Sequence, residues 1–245
     1  MLLYQPQNGY CYNSDTLALF NFIQQNLKIF KNITGSLLDI GSGSGILGLL
    51  VAKNYPKLIL HSLEVQKDFV FLTKKNSEIN NIKSIVFEGN FKNFSFDIDS
   101  KDEEIFDIIV SNPPFYPSSV IKSENESLKI ARYNDSLPLE DLIRNSSKIL
   151  KQNGKFFFCY DVKLLDDIIF FSKKHGLNIE SLQFLHPKQD RNSSLVMVYL
   201  RKNSKSLLNI LPPLFMFDDK DFTQAMIDIY KKCDTYSIKI NMEKL

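Results

Sequence analysis

A glycine-rich segment at residues 37–48 constrains the fold of this chain more than any other feature. It reads LLDIGSGSGILG, so an apolar stretch typical of a buried strand leads through glycines into an apolar stretch typical of a helix. Glycines let the backbone turn tightly and come close to a ligand. Glu64 follows at the predicted end of the next strand, where a carboxylate can accept hydrogen bonds from ribose hydroxyls. The segment therefore predicts a strand–loop–helix unit that binds a nucleotide-like ligand.

Three interpretations of this segment are open. Gly43, Gly45 and Gly48 have the spacing of the dinucleotide fingerprint, in which a pyrophosphate lies at the amino terminus of a helix. Asp39 favours S-adenosyl-L-methionine instead, because a carboxylate there would repel a pyrophosphate but can receive an ammonium group through water or backbone groups. A glycine-rich turn without a ligand is the third interpretation. The sequence favours the second.

Strand and helix patterns alternate over most of the chain. The predicted strands are residues 36–40, 58–64, 82–87, 105–110, 155–160, 177–185 and 194–201. The predicted helices are residues 17–30, 67–80, 139–150, 164–174 and a helix from residue 45 onward. This alternation is typical of an α/β fold with a parallel, doubly wound sheet. No helix pattern separates the last two strands, which predicts an antiparallel pair at one edge of the sheet.

The sequence Asn112-Pro113-Pro114-Phe115 directly follows the apolar fourth strand. Ligands of open α/β sheets bind outside the carboxyl ends of the strands, so Asn112 should lie beside the glycine loop. A planar amine is a poor nucleophile, and two acceptors can hold its two N–H groups. The Asn112 side-chain oxygen and the Pro113 carbonyl would be those acceptors, with the prolines restricting the backbone and Phe115 stacking on the acceptor ring. The pattern predicts methyl transfer to nitrogen, whereas its alternative is an ordinary turn.

Composition excludes several other classes of protein. The chain has 245 residues and a net charge of only +2, so binding to a nucleic acid would need a local basic patch. Its three cysteines are far apart and show no spacing typical of a metal site or a disulfide framework, which fits a reducing cytosol. We see no signal peptide and no apolar run long enough to span a membrane. We therefore expect a cytoplasmic protein without a metal, and the oligomeric state stays open.

These motifs resemble those of the bacterial tRNA1(Val) (adenine-37 N6)-methyltransferases, a family of class I S-adenosyl-L-methionine-dependent methyltransferases. Residues 39–45 are similar to the cofactor loop of that family, and residues 112–115 are similar to its catalytic loop. Residues 9–16, 130–133 and 212–218 resemble its N-terminal segment, a basic stretch and a tail segment. The resemblance implies a Rossmann-like methyltransferase fold with a mostly parallel sheet and an antiparallel edge strand. It also implies methylation of N6 of adenine 37 in the anticodon loop of a tRNA.

Together, the motifs and the resemblance give a set of expected site residues. The catalytic residues would be Asn112, Pro113 and Phe115. The cofactor-binding residues would be Asp15, Asp39, Gly41, Gly43, Gly45, Glu64, Asn90, Phe91 and Asn112. The residues that bind the RNA would be Phe115, Tyr116, Lys122, Lys129 and Arg132. Family members usually have Asp at the position of Asn90, whose amide oxygen can still accept a hydrogen bond from the cofactor's adenine.

We expect residues 1–245 to form a single methyltransferase domain. It would consist of an N-terminal helical extension (1–35), a Rossmann-like core (36–201) and a C-terminal tail (202–245).

Other functions stay open at this stage. Guanine-N2 RNA methyltransferases and release-factor glutamine N-methyltransferases would use the same catalytic loop, although the latter usually carry a helical domain before the glycine loop. Residues 1–38 leave room for about one helix there. A nicotinamide-dependent oxidoreductase or a silent nucleotide-binding module represents a different class, against which Asp39 and Asn112 argue.

Overall fold

The computed structural model describes residues 1–9, 11–96, 104–113 and 137–242. The helices in these ranges are α1 (Ser14–Leu27), α2 (Ile46–Asn54), α3 (Lys67–Ile79), α4 (Leu139–Ile149), α5 (Leu165–Lys174) and α6 (Gln224–Cys233), with a 3-10 turn at Val162–Leu164. The longer strands are β1 (Leu2–Pro6), β2 (Gly35–Ile40), β3 (Leu58–Glu64), β4 (Ser84–Glu88), β5 (Phe106–Ser111), β6 (Leu150–Asp161), β7 (Leu177–His186), β8 (Leu195–Lys202) and β13 (Tyr236–Ile240). The two-residue strands are β9 (Asn209–Ile210), β10 (Leu214–Phe215), β11 (Phe217–Asp218) and β12 (Asp221–Phe222).

The central sheet has the strand order β10-β7-β8-β6-β5-β2-β3-β4, with β9 beside β7. From β6 to β4 all neighbours are parallel, which confirms the predicted doubly wound α/β fold. The predicted antiparallel pair at one end of the sheet is confirmed: β8 is antiparallel to β7 and also to β6, and it lies between them. The α5 crossover leaves a gap between β6 and β7, and the chain fills it by folding back from β7 into β8. The short strands β9 and β10 then pair with the outer edge of β7.

A separate hydrophobic cluster covers each face of the sheet. Phe157 belongs to the cluster that contains α1, α2 and α6, while Phe156 and Phe158 belong to the cluster that contains α4 and α5. The rings alternate in this way because successive strand residues point to opposite faces. All three are fully buried, so this phenylalanine run serves the core.

The register of the central strands determines where a ligand site can form. Ile40, the last residue of β2, pairs with Ser111, the last residue of β5. Gly41 and Asn112 therefore leave the sheet side by side at its carboxyl edge. The loop after β3 leaves at the same edge, since Leu63 pairs with Ile40.

The first residues form a strand that the sequence patterns did not predict. β1 pairs in parallel with β13, with Leu2 opposite Tyr236. Its other edge is bonded to two asparagines, one in α3 and one that caps the carboxyl end of α3. Asn76 accepts from the Tyr4 N–H (2.6 Å) and donates to the Tyr4 carbonyl (3.0 Å), and Asn80 bonds to Leu2 in the same way (3.0 and 2.6 Å). These side chains take the place of a neighbouring strand.

The tail predicted at residues 202–245 is built into the main body of the fold. Met226 on α6 is fully buried and belongs to the same hydrophobic cluster as Leu17 on α1 and Leu37 on β2. In the described part of the chain, no helix is long and apolar enough to cross a membrane.

Two predicted boundaries were wrong. The helix expected at residues 17–30 is α1, which begins three residues earlier and ends at Leu27. The strand expected at residues 155–160 is part of β6, which begins at Leu150 and includes Asn153 with a φ of +61°. Pairing with β5 shifts there from Leu150 to Lys155, so the chain forms a bulge within a strand that is longer than expected.

Candidate functional site

The glycine loop after β2 has a backbone conformation that requires glycine. Gly41, Gly43 and Gly45 have φ angles of +64°, +54° and +85°, a region that other residues rarely adopt. A Cβ atom added at Gly41 or Gly43 would have no described atom within 4 Å. The loop therefore presents bare backbone to open space at the carboxyl edge of the sheet.

Partners within the protein already satisfy most N–H groups of this loop. The N–H groups of Gly41 and Ser42 donate to the Leu63 carbonyl at 2.9 and 3.2 Å. The Gly43 N–H donates to the Glu64 carboxylate at 2.9 Å. These bonds hold the loop against the end of β3, and they leave few N–H groups to receive an anion.

The Glu64 carboxylate fixes the glycine loop through hydrogen bonds. Besides the Gly43 N–H, its carboxylate accepts from the N–H groups of Val65 and Gln66, both at 2.9 Å. It is only 5% exposed, and burial raises its pKa although these three bonds lower it in part. The carboxylate thus joins the glycine loop to the start of α3.

Asp39 lies beneath the loop at the amino terminus of α2. Its Oδ2 accepts from the Gly48 N–H at 2.8 Å, and only glycine fits at position 48, because a Cβ there would come within 2.9 Å of Asp39 and 2.8 Å of Leu60. Burial raises the pKa of Asp39 to about 7; the Gly48 bond opposes this increase and the nearby Glu64 charge adds to it. The carboxylate is therefore ready to ionise when a cation binds nearby.

Asn112 is placed by both its strand and α1. Its Nδ2 donates to the Thr16 Oγ1 at 2.9 Å, a contact between residues 96 positions apart in sequence. Its Oδ1 is buried and has no hydrogen-bond partner among the described residues. A buried acceptor without a partner carries a free-energy cost, so such an atom is suited to accept a hydrogen bond from a ligand.

A cavity joins these groups and encloses about 380 Å³, counting the space at its open mouth. Its lining residues are Tyr12, Thr16, Asp39, Gly41, Ser42, Gly43, Ser44, Ile46, Leu47, Phe69 and Asn112. Tyr12 is held by the C-terminal segment, since its hydroxyl donates to Thr235 (3.0 Å) and accepts from the Ser237 hydroxyl (3.2 Å). The glycine loop, the end of β5 and the segment before α1 thus surround one space.

A family model described as the methyltransferase small domain matches residues 16–166. The chain belongs to the methyltransferase small domain family. Among curated relatives, the tRNA1(Val) (adenine(37)-N6)-methyltransferase of Christiangramia forsetii is 34% identical over 160 residues, which cover 65% of this chain and 62% of that protein. The enzyme of the same name from Pedobacter heparinus is 26% identical over 162 residues, covering 66% and 67%. The matches thus span about two thirds of these relatives.

Solved structures agree on the fold of this methyltransferase. The crystal structure of a predicted O-methyltransferase from Agrobacterium tumefaciens superposes with a TM-score of 0.62 at 18% identity, over 94% of this chain and all of that one. Family membership confirms S-adenosyl-L-methionine as the cofactor and methyl transfer as the class of reaction.

The structure brings four of the expected site residues together. Asp39, Gly41, Gly43 and Asn112 all line the cavity. Gly45 lies at the start of α2, where its φ of +85° turns the chain into the helix. The roles of these residues toward a bound cofactor stay predictions.

Glu64 does not line the cavity that the described residues outline, because its carboxylate bonds to the glycine loop and to the residues before α3, and three further expected cofactor residues also have other contacts. Asp15 accepts from the Asn13 Nδ2 at 2.8 Å, and burial raises the pKa of Asp15 while this bond lowers it in part. Asn90 is exposed, and its Oδ1 accepts from the Lys92 N–H at 3.0 Å. Phe91 is 6% exposed and belongs to the cluster on the α4 and α5 face. None of the three lines the cavity as the described residues outline it.

The remaining expected residues fall mainly outside the described part of the chain. Pro113 is described and buried. The others, Phe115, Tyr116, Lys122, Lys129 and Arg132, lie outside the described residues. Among the residues that are described, no group of three or more His, Cys, Asp or Glu side chains could hold a metal ion.

Sequence reasoning missed several residues of the cavity wall. Tyr12 and Thr16 belong to a segment whose resemblance to the family was noted, but no spacing assigned either side chain a role. Their places depend on contacts with Ser237 and Asn112, far away in sequence. Phe69 fits the apolar face of α3, so the pattern alone suggests a core residue.

Proposed function

We propose that this protein methylates N6 of an adenine, adenine 37 in the anticodon loop of a tRNA, with S-adenosyl-L-methionine as methyl donor. The observation that carries the proposal concerns Asn112, which lines the cavity and whose buried Oδ1 has no hydrogen-bond partner among the described residues. An exocyclic amine offers an N–H group to such an acceptor. The names of the curated relatives support a tRNA adenine as the substrate.

The polar groups of the glycine loop favour adenosylmethionine over a dinucleotide. A pyrophosphate site needs free N–H groups at the start of a helix. Here the N–H groups of Gly41, Ser42 and Gly43 have partners within the protein, and Gly48 donates to Asp39. The buried Asp39 carboxylate would repel a phosphate, whereas it would attract the ammonium group of a bound amino acid.

The residues of the cavity would divide the work as follows. The glycine loop and Asp39 would hold the cofactor, which supplies an electrophilic methyl group when bound. The Asn112 Oδ1, together with the Pro113 carbonyl, would accept from the amine and hold its nitrogen in line with that methyl group. Positioning of this kind contributes a large part of many enzymatic rates. A loop base suits this mechanism because unstacking it costs only a few kcal/mol.

Two further properties belong to the proposal. We expect residues 1–245 to act as one domain, which the shared hydrophobic cluster of α1, β2 and α6 supports. We also expect the protein to act in the cytoplasm, where it would meet its tRNA.

The test is mass analysis of nucleosides from tRNA that has been incubated with the protein and isotope-labelled S-adenosyl-L-methionine. We expect labelled N6-methyladenosine, and its loss when adenine 37 is replaced in a transcribed tRNA. Labelled N2-methylguanosine would assign the protein to the guanine enzymes instead. Transfer only to a release-factor glutamine would exclude an RNA substrate. Binding of NAD without binding of adenosylmethionine would overturn the methyltransferase mechanism itself.

A further inference from the structure

The contact between Thr16 and Asn112 has a consequence for the reaction. Thr16 lies in the first turn of α1, is 4% exposed and lines the cavity. Its Oγ1 accepts from the Asn112 Nδ2 at 2.9 Å. The other end of the same amide, Oδ1, is the buried acceptor without a partner in the described structure.

The orientation of this amide decides whether Asn112 can receive an amine. The oxygen and nitrogen of an Asn side chain are nearly equal in size, so hydrogen-bond partners determine which end points where. With Oδ1 toward the cavity, the side chain accepts from an N–H group of the acceptor base. With the amide reversed, two N–H groups would face each other and the amine would be repelled.

We propose that Thr16 is a positioning residue that holds the Asn112 amide in its accepting orientation. This inference rests on the proposed function, because it concerns the atom that would receive the amine. The Thr16 hydroxyl gives Nδ2 an acceptor, so the productive orientation leaves no polar atom of the amide unpaired once an amine has bound. The Thr16 hydroxyl can also donate, and it would then bond to the oxygen of a reversed amide. In that orientation Asn112 cannot accept from the amine, because its N–H groups face the cavity.

The position of Thr16 suits this role. The residue belongs to α1, which packs against α2 and β6, so the hydroxyl is fixed by a helix and not by a surface loop. Its backbone N–H donates to the Asn13 carbonyl at 3.2 Å, which holds the first turn in place. Groups that are held in place before the substrate binds need less reorganisation during the reaction.

The test compares Thr16→Val, which keeps the shape of the side chain but removes its oxygen, with Thr16→Ser, which keeps the oxygen. Methyl transfer is measured with the acceptor on which the wild-type protein acts. For Thr16→Val we expect kcat to fall roughly tenfold, the effect of losing one positioning hydrogen bond, while the Kd for adenosylmethionine stays within about twofold. Thr16→Ser should recover most of the rate.

A second readout does not depend on activity. In the ¹⁵N-labelled, cofactor-free protein, the Asn112 side-chain amide signals are assigned by their loss in Asn112→Asp. They should shift in Thr16→Val and stay near their original positions in Thr16→Ser. Thermal unfolding of each variant shows whether it folds, and if Thr16→Val does not, Thr16→Ala replaces it because its smaller side chain cannot clash.

The outcomes separate the two proposals. Unshifted amide signals in Thr16→Val would overturn the contact, and shifted signals with an unchanged kcat would overturn the positioning role. An equal loss of rate in Thr16→Ser and Thr16→Val would also overturn it, since the oxygen would then not matter. If the wild-type protein transfers no methyl group to any acceptor, the proposed function fails whatever the amide signals do.

Discussion

The ends of β2 and β5 lie side by side, yet their polar groups differ in whether they have hydrogen-bond partners within the protein. After β2, the N–H groups of Gly41, Ser42 and Gly43 all have partners within the protein. After β5, the Asn112 Oδ1 is buried and lacks a partner among the described residues. Both ends line the same cavity.

This difference indicates how each side would bind its ligand. The N–H groups of the glycine loop already have partners. This side of the cavity therefore offers a ligand mainly a shaped surface and one buried carboxylate, Asp39. The end of β5 offers the Asn112 Oδ1, an acceptor without a partner among the described residues. The free-energy cost of burying this atom is removed only when a donor binds to it. One side would therefore select its ligand by fit and charge, and the other by a hydrogen bond.

The largest effect should come from removing the unpaired acceptor. For Asn112→Ala we expect kcat to fall roughly 10²–10³-fold, as when one preorganised transition-state group is lost. The Kd for adenosylmethionine should stay nearly unchanged, because the glycine loop keeps its own bonds. Steady-state kinetics and calorimetric titration measure the two quantities. A fully active variant would mean that the end of β5 has only a structural role.

A side chain on the glycine loop should have the next largest effect. In Gly43→Val the new side chain would occupy the open space in front of the loop, and we expect the Kd for adenosylmethionine to rise roughly a hundredfold or more. Gly176→Val is the matched control, since Gly176 also has a positive φ (+73°) and open space around it, but precedes β7 at the opposite edge of the sheet. Both variants should lose about 1–2 kcal/mol of unfolding free energy. Equal cofactor affinity in the two would place the binding site elsewhere.

Asp39 should make cofactor affinity depend on pH. Its pKa in the folded, cofactor-free protein is about 7, so it gains a proton as the pH falls below 7 and can no longer attract an ammonium group. We expect affinity for adenosylmethionine to fall roughly fivefold between pH 7.5 and pH 6. Asp39→Asn should bind more weakly and lack this dependence, although its amide oxygen can still accept from Gly48. The same slope in Asp39→Asn would show that another group is responsible.

The raised pKa of Asp39 also fixes the sign of its effect on stability. The folded protein holds this proton more tightly than the unfolded chain does, so this group favours folding at low pH. The free energy of unfolding of the cofactor-free protein should therefore decrease as the pH rises from about 4 to about 7, and Asp39→Asn should lack that contribution. Urea unfolding at several pH values measures it.

The smallest effect should come from the support behind the loop. Asn76 is fully buried and bonds both to Tyr4 and, at 2.8 Å, to the Ser44 carbonyl. Asn76→Ala should lower cofactor affinity about two- to threefold, because the loop loses one support while its other bonds remain. Asn80→Ala releases β1 in the same way, but among the described residues the Asn80 side chain bonds only to Leu2 and Asn76, so this variant should leave affinity unchanged. Equal affinities in the two variants would show that the loop does not need this support.

The sequence predicted those parts of the molecule whose cause is local. The conformation of an apolar strand followed by glycines, or by Asn112 and two prolines, is determined by its own residues. Because ligands bind at the carboxyl edge of such sheets, the two loops are predicted to lie together. The sheet, its helices and the cavity residues Asp39, Gly41, Gly43 and Asn112 follow from this. Asp39 already favoured S-adenosyl-L-methionine as the cofactor, and the resemblance to the family added the expectation of a tRNA adenine as the substrate.

The parts that sequence reasoning missed depend on distant contacts. β1 is satisfied by side chains of α3 and by β13, and no periodic pattern of its five residues reveals this. β8 lies between β6 and β7, and hydrophobic patterns do not indicate the order of strands in a sheet. Thr16 has a role only because Asn112 lies beside it in the folded chain, 96 residues further on.

The part of the cavity wall that Tyr12 forms depends on residues that are synthesised much later than Tyr12. The chain leaves the ribosome amino end first, and domains begin to fold as they emerge. The glycine loop and the strands around it can assemble early, but the hydroxyls of Thr235 and Ser237 that hold Tyr12 emerge more than two hundred residues after it. A nascent or prematurely terminated chain would have the strands of the cofactor site without this wall. A finished pocket therefore forms only after the segment that carries Thr235 and Ser237 has been synthesised.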